Sequence, residues 1–262
     1  MPTAFITGGS SGIGLELSKY FIRGGYDLLW VSATDAELQK GLEIIKSDYP
    51  KASIKTKAID LSKDAAALST YDWVRSEIIQ LDVLINNAGF GTYGFVNDIE
   101  MQDELNMIHV NLLTPYKLTR LFMKDMINRD SGQIINISSS SSFQPIPKMN
   151  TYASTKSFVK HWSRGLTEEL KMMGSNVKVL VVCPSAIKNT PFRDRGFQKV
   201  KTFEGLAYTT VEEVASDIWK AFQKGKDYQV TGWKQRALMI SHGLLPYKLV
   251  QWLVRKEVEE SL

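Results

Sequence analysis

Short apolar runs alternate with longer stretches of helical periodicity along the 262 residues. The runs fall at 3–7, 27–32, 53–59, 82–86, 133–138, 177–182 and 227–231. Several are nearly continuous in apolar residues, as expected of strands covered on both faces. Helical patterns lie between them, near 13–23, 36–48, 64–79, 101–129, 153–173 and 211–224. This alternation predicts an α/β fold, a doubly wound parallel sheet with right-handed crossovers. No linker or repeat divides residues 1–232, which read as one domain. The polar segment 188–209 holds Pro191, Gly196 and Gly205, lacks strong periodicity and reads as a mobile loop with a short helix. Residues 233–262 read as a helical extension of the same domain. They carry two amphipathic stretches broken around Gly243 and Pro246.

Composition adds exclusions. A net charge of +4 is mild, and no long basic run or nucleic-acid motif is present. One cysteine, Cys183, excludes an intrachain disulfide framework and reads as a buried thiol after the run Val179 to Val182. His109, His161 and His242 show no metal-ligand spacing, so no metal site is expected. The N-terminus enters a strand with no apolar signal core, and no uncharged apolar run approaches a membrane span. The expectation is a soluble, cytoplasmic protein.

Four stretches carry chemistry. Tyr152-Ala153-Ser154-Thr155-Lys156 opens an apolar-periodic run through Phe158, Val159, Trp162, Leu166 and Leu170. Residues four apart share a helix face, so a phenol and an ammonium point the same way. A nearby cation favours the phenolate, and a phenol so tuned can give or take a proton. Alone, the pair describes equally well a packed aromatic beside a solvated amine. Thr7-Gly8-Gly9-Ser10-Ser11-Gly12-Ile13-Gly14 follows an apolar strand and opens a helical pattern. Glycines there permit a tight turn and close approach to a pyrophosphate, which the helix N-terminus attracts. Asn86-Asn87-Ala88-Gly89 ends the run Val83-Leu84-Ile85, and five serines, Ser138 to Ser142, leave the strand at 133–138. Open α/β sheets bind ligands at such strand ends.

In this order the residues resemble the short-chain dehydrogenase/reductase family, in its single-domain form with a Rossmann fold, from residue 3 to about residue 190. Serine thirteen residues before the tyrosine is the family spacing, and it selects Ser139. The resemblance implies hydride transfer between NADP or NAD and a carbonyl or secondary alcohol. Tyr152 is then the general acid in reduction, and Lys156 stabilises its phenolate and binds the nicotinamide ribose. Ser139 bonds the substrate oxygen. Asn111 distorts its helix and holds a water linking Lys156 to solvent. Gly8, Gly12 and Gly14, with the amides of Ser10, Ser11 and Ile13, face the pyrophosphate. Asp60 and Leu61 flank the adenine, and Asn87, Ala88 and Gly89 border its ribose. Pro184 and Ile187 lie under the nicotinamide. The family also implies a homodimer or homotetramer, with a small carbonyl or alcohol as substrate. A dinucleotide-binding redox sensor without turnover is the alternative; it need not keep the set Asn111, Ser139, Tyr152 and Lys156.

Two departures stand out. Ser185 replaces the glycine usual after the proline, and Asn189, followed by Thr190, replaces the expected threonine. The second strand ends in Ser32-Ala33-Thr34, with neither an acid for a ribose diol nor an arginine for a phosphate. Asp35 could serve, but Thr34-Asp35-Ala36-Glu37 has capping-box spacing. Absence of a repelling acid beside Ala33 favours NADP over NAD. Phe90, Tyr93, Phe95, Phe143, Pro145, Met149, Phe192 and Phe197 lie where the family places its pocket, and suggest an apolar ketone or acyl chain. The tail carries Trp233, Leu238, Met239, Leu244, Leu245, Leu249, Trp252 and Leu253, with Lys234, Arg236, Lys248, Arg255 and Lys256 on its other face. So much apolar surface is not expected to stay in water. Glu257, Glu259 and Glu260 follow the basic residues, so the tail is expected to pack on protein, its own subunit or another, rather than on an anionic membrane.

Overall fold

The apolar runs form the strands of one sheet in a computed structural model that describes residues 1–187, 209–237 and 245–260. Strands β1 (Thr3–Thr7), β2 (Asp27–Ser32), β3 (Ile54–Ala58), β4 (Val83–Asn86), β5 (Gln133–Ile137), β6 (Lys178–Cys183) and β7 (Tyr228–Val230) pair in the order β3-β2-β1-β4-β5-β6-β7. Every pairing is parallel. The chain leaves β1 toward β2 on one side and later returns to β4 on the other. Beyond the carboxyl ends of β1 and β4 lies the switch-point crevice where such sheets take ligands.

Helices cover both faces, as continuous apolar strands require. On one face α1 (Gly12–Arg23), α2 (Asp35–Asp48) and α7 (Val211–Gln223) bury Leu17, Phe21, Leu38, Ile45, Val214 and Ile218 against β1, β2 and β6. Phe21 and Trp219 join α1 to α7 edge to face, with ring centroids 5.0 Å apart. On the other face α3 (Ala66–Glu77), α5 (Thr114–Asn128) and α6 (Asn150–Met172) bury Trp73, Val74, Leu118, Phe122, Leu166 and Leu170. Each fully buried Leu or Phe contributes about 1.5–3 kcal/mol. Thr34 caps α2, its hydroxyl accepting from Glu37 N at 3.2 Å, so the capping-box spacing marks a helix start. Asp35 then lies in the first turn of that helix and complements its dipole.

The long helical pattern at 101–129 is not one helix. It divides into α4 (Met101–Ile108), a π-helical turn (His109–Leu113) and α5. The inserted turn has Asn111 at its centre, and such turns recur at functional sites. Helix α6 begins at Asn150, earlier than the periodicity suggests, so Tyr152 sits inside its first turn.

The tail packs on its own chain. Residues 233–237 are helical, and α8 (Tyr247–Glu260) buries Val250, Val254 and Val258 on a cluster holding Met107, Ile146, Met149, Tyr152 and Ala153. The spacing of four keeps the three valines on one stripe. Trp252, Leu249 and Leu253, expected to leave water, stay partly exposed on the other sides. No described helix is long and apolar enough to cross a membrane. The segment with Asn189, Thr190, Pro191, Phe192, Gly196, Phe197 and Gly205, and the tail residues Leu238, Met239, Gly243 and Leu244, lie outside the described residues.

Candidate active site

The glycine string forms a cradle between β1 and α1. Gly8 and Gly12 take φ of 67° and 52°, a left-handed backbone that glycine adopts without cost. A Cβ on Gly14 would stand 2.2 Å from the Gly8 carbonyl oxygen, and one on Gly9 would meet the Trp30 ring at 2.4 Å. The turn closes from below. Thr7 Oγ1 accepts the amides of Asn87 and Ala88 at 3.0 Å each, and Asn87 Nδ2 donates to Thr7 O and Gly8 O at 3.0 Å each. The first turn of α1 has no acidic residue, and Ser11 makes no side-chain cap. Its N–H groups and positive dipole end fit a pyrophosphate. The Ser10 side chain faces inward, 2.7 Å from Ser32 Oγ, leaving only its backbone for a ligand. Ala33 and Asp60 are exposed and Leu61 is buried; Asp60 accepts from Ser62 N at 3.0 Å.

The serine run leads into a 3-10 turn (Ser140–Phe143), and three of its five hydroxyls make separate hydrogen bonds. Ser138 Oγ donates to the Lys156 carbonyl at 2.7 Å. Ser142 Oγ donates to the Ser139 carbonyl at 2.6 Å and closes the turn. Ser139 Oγ accepts from Ser141 N at 3.1 Å, which leaves its own proton for another acceptor. Ser139 and Ser141 both act on the Tyr152 phenol. The turn is pinned to α6, because Lys160 Nζ and Ser157 Oγ donate to Ser142 O at 2.6 and 3.1 Å. It is tied to β6 by Ser140 N, which donates to Pro184 O at 2.7 Å. Ser141, Thr155 and Lys160 are site residues that the spacing argument missed. The repeat of serine after Ser139, and of lysine four residues after Lys156, was the available signal.

Lys156 is buried, and its Nζ donates to the Ile137 carbonyl at 3.1 Å, 5.9 Å from the Tyr152 ring centroid. Asn111 is buried in the π turn. Its Oδ1 accepts from Phe90 N at 3.1 Å, and its Nδ2 donates to Phe90 O at 2.7 Å and to Thr155 Oγ1 at 3.4 Å. A Cβ on Gly89 would meet Asn111 Oδ1 at 3.0 Å and Lys156 Nζ at 3.2 Å, so amide and ammonium flank that glycine. Ser139, Tyr152, Lys156 and Asn111 therefore lie in one region of the fold.

The electrostatics differ from the expectation that the lysine lowers the phenol's pKa. Burial pushes Tyr152 up to about 12, and the opposing pull comes from the Ser139 and Ser141 hydroxyls. Burial brings Lys156 down to about 8. Desolvation disfavours whichever form is charged, which moves the two groups in opposite directions. Tyr152 thus stays protonated, as a general acid must, while Lys156 loses its charge near pH 8. Reductive kcat/KM should be level from pH 6 to about 7.5 and fall about tenfold per unit above pH 8. Lys156→Arg should carry the fall to higher pH. A profile level to pH 10 in the unmodified enzyme would contradict this assignment.

Other expected residues divide. Ile187 bridges to Thr209, and the Ser185 hydroxyl lies 2.6 Å from Thr209 Oγ1. Phe90, Tyr93 and Met149 belong to the apolar cluster around Tyr152. Phe143 packs away from it, against Cys183 and Val230, under the Lys160 ammonium. Phe95 and Pro145 are exposed.

The short chain dehydrogenase pattern matches residues 2–201. A very-long-chain 3-oxoacyl-CoA reductase from Rattus norvegicus is 29% identical over 97% of this chain and 78% of its own. Very-long-chain 3-oxoacyl-CoA reductase-B from Danio rerio is 33% identical over 65% of this chain, and the match spans just over half of its own length, 55%. Among solved structures, a short-chain dehydrogenase from Sphingobium yanoikuyae in complex with NADPH is 26% identical, with a TM-score of 0.78 over 88% of this chain and 87% of that one. A family match over residues 2–201 means that this chain belongs to the short chain dehydrogenase family.

Proposed function

We propose that this protein reduces the 3-oxo group of acyl thioesters with NADPH. One observation carries the substrate class. The Tyr152 ring is buried in an apolar wall with Met107, Ile146, Met149 and Ala153, on which Val250 and Val254 of α8 also pack. Such a wall holds a hydrocarbon chain without an unpaired polar group, and it matches the substrate in the names of the rat and zebrafish relatives. The neutral edge at Ser32, Ala33 and Thr34 admits a 2′-phosphate, in keeping with the NADPH bound by the bacterial relative.

The cradle of Gly8, Gly12 and Gly14 fits the dinucleotide pyrophosphate. When bound, the cofactor supplies the hydride, and the protein supplies the rest. The Ser139 hydroxyl donates to the substrate oxygen as charge develops there. Tyr152 Oη gives its proton to that oxygen. The phenolate left behind is stabilised by the Ser139 and Ser141 hydroxyls. Lys156, beside Asn111, supplies the charge that holds the ribose and restores the proton. Val250 and Val254 keep water from the apolar side.

The test is turnover of 3-oxoacyl thioesters of increasing length with NADPH and with NADH. Specificity should rise with chain length, by up to about 10-fold for each two methylenes the wall covers, and NADPH should have the lower KM. Equal kcat/KM for short and long chains would remove the acyl-chain reading.

A further inference from the structure

We propose that Lys148 recognises the phosphorylated end of the acyl thioester, a role that rests on the substrate reading above. Lys148 lies on the loop between the serine turn and α6. Its backbone has a φ of 63°, in the left-handed region that glycine and asparagine enter most readily. A lysine there costs on the order of 1 kcal/mol, and strain of this kind collects where a side chain has a task. The Lys148 carbonyl accepts from Gly94 N at 3.0 Å, which fixes the loop to the segment carrying Tyr93 and Phe95. The ammonium stands 4.5 Å from the Phe95 ring centroid and 5.4 Å from that of Tyr93.

These contacts place a cation at the rim of the acyl wall. Tyr93 packs on the cluster that contains Tyr152 and Met149, while Phe95 is 55% exposed. Aromatic faces hold an ammonium by its charge and leave its N–H donors unused. Among the described residues no carboxylate pairs with Lys148. A chain seated on the wall must send its polar end outward past the rim. The group there is a point charge with three donors, suited to a phosphate.

Three thioesters of one 3-oxoacyl chain test this: on coenzyme A, on phosphopantetheine and on N-acetylcysteamine, which has no phosphate. Lys148→Met should raise KM for the coenzyme A thioester about tenfold. It should leave KM for the N-acetylcysteamine thioester and for NADPH within about twofold, and kcat unchanged. An effect shared by the phosphopantetheine thioester locates the pantetheine phosphate as the ligand; an effect on coenzyme A alone locates its nucleotide phosphates. Lys148→Arg should keep the low KM. Lys148→Gly relieves the backbone, so it should match or exceed the wild-type Tm while losing the same KM as Lys148→Met. Equal KM changes on all three thioesters, or none, would overturn the proposal. If the unmodified enzyme turns over none of them, the substrate reading falls and the proposal with it.

Discussion

Tyr152→Phe will leave dinucleotide binding intact and lower carbonyl reduction by about 10²–10⁴-fold, the contribution of a positioned general acid. The substitution removes one oxygen and keeps the ring. The ring is buried among Met107, Met149 and Ala153, so packing survives. The Ser139 and Ser141 hydroxyls remain, and they can bond a substrate oxygen but have no proton relay behind them. Lys156 keeps its bond to Ile137 O, so the ribose side of the site is unaltered. Stopped-flow NADPH oxidation measures the chemical step, and fluorescence titration measures binding. Retention of more than about a tenth of the rate would remove Tyr152 as the acid.

Gly14→Ala will weaken dinucleotide binding by about 10–100-fold, because inserting a methyl where backbone already packs costs about 1–3 kcal/mol. The added carbon would lie 2.2 Å from Gly8 O and 2.7 Å from Asn87 Nδ2. Neither is the free end of a flexible chain. Gly8 O belongs to the turn itself, and Asn87 Nδ2 bonds both Thr7 O and Gly8 O. The helix must therefore move off the turn and carry its N-terminal amides away from the phosphates. Gly165→Ala is the control. That position lies exposed in α6, with nothing within 4 Å of its new Cβ. Alanine there should raise stability by up to about 1 kcal/mol and leave affinity unchanged. Calorimetric titration with NADPH and thermal melts of both variants separate the two effects. Wild-type affinity in Gly14→Ala would show that the turn does not have to sit against α1.

What the sequence conceals has particular causes. The strands were legible because burial on both faces makes them continuous in apolar residues. The glycine turn was legible because only glycine satisfies the φ at Gly8 and the contact at Gly14. The break in the pattern at 101–129 was indicated by the family resemblance at Asn111 but not by periodicity, although Pro115 marks the start of α5, because a π turn adds one residue without disturbing apolar content. Its consequence is spatial: Asn111 is turned onto the backbone of Phe90. Spacing selected Ser139 among five serines. It could not show that a 3-10 turn returns Ser141 to the same phenol, or that Lys160 holds the turn. The phenol's pKa departs from expectation for a related reason. Helical spacing places Lys156 on the face of Tyr152, but burial outweighs that proximity for the phenol, and the ammonium is directed at a strand carbonyl. In the tail, periodicity identified an amphipathic helix, and the structure turned its valine stripe, rather than Trp252 and Leu253, onto the site.

In the proposed reaction hydride passes to a carbonyl carbon while Tyr152 protonates the oxygen. NADPH deuterated at C4, on the face that reacts, should give a 3-hydroxyacyl product carrying one deuterium at C3 by mass spectrometry, and none when the label is in the solvent. With Tyr152→Phe the same product should form at least about a hundredfold more slowly. Oxidation of the cofactor without deuterium at C3, or label at C3 drawn from solvent, would contradict the account.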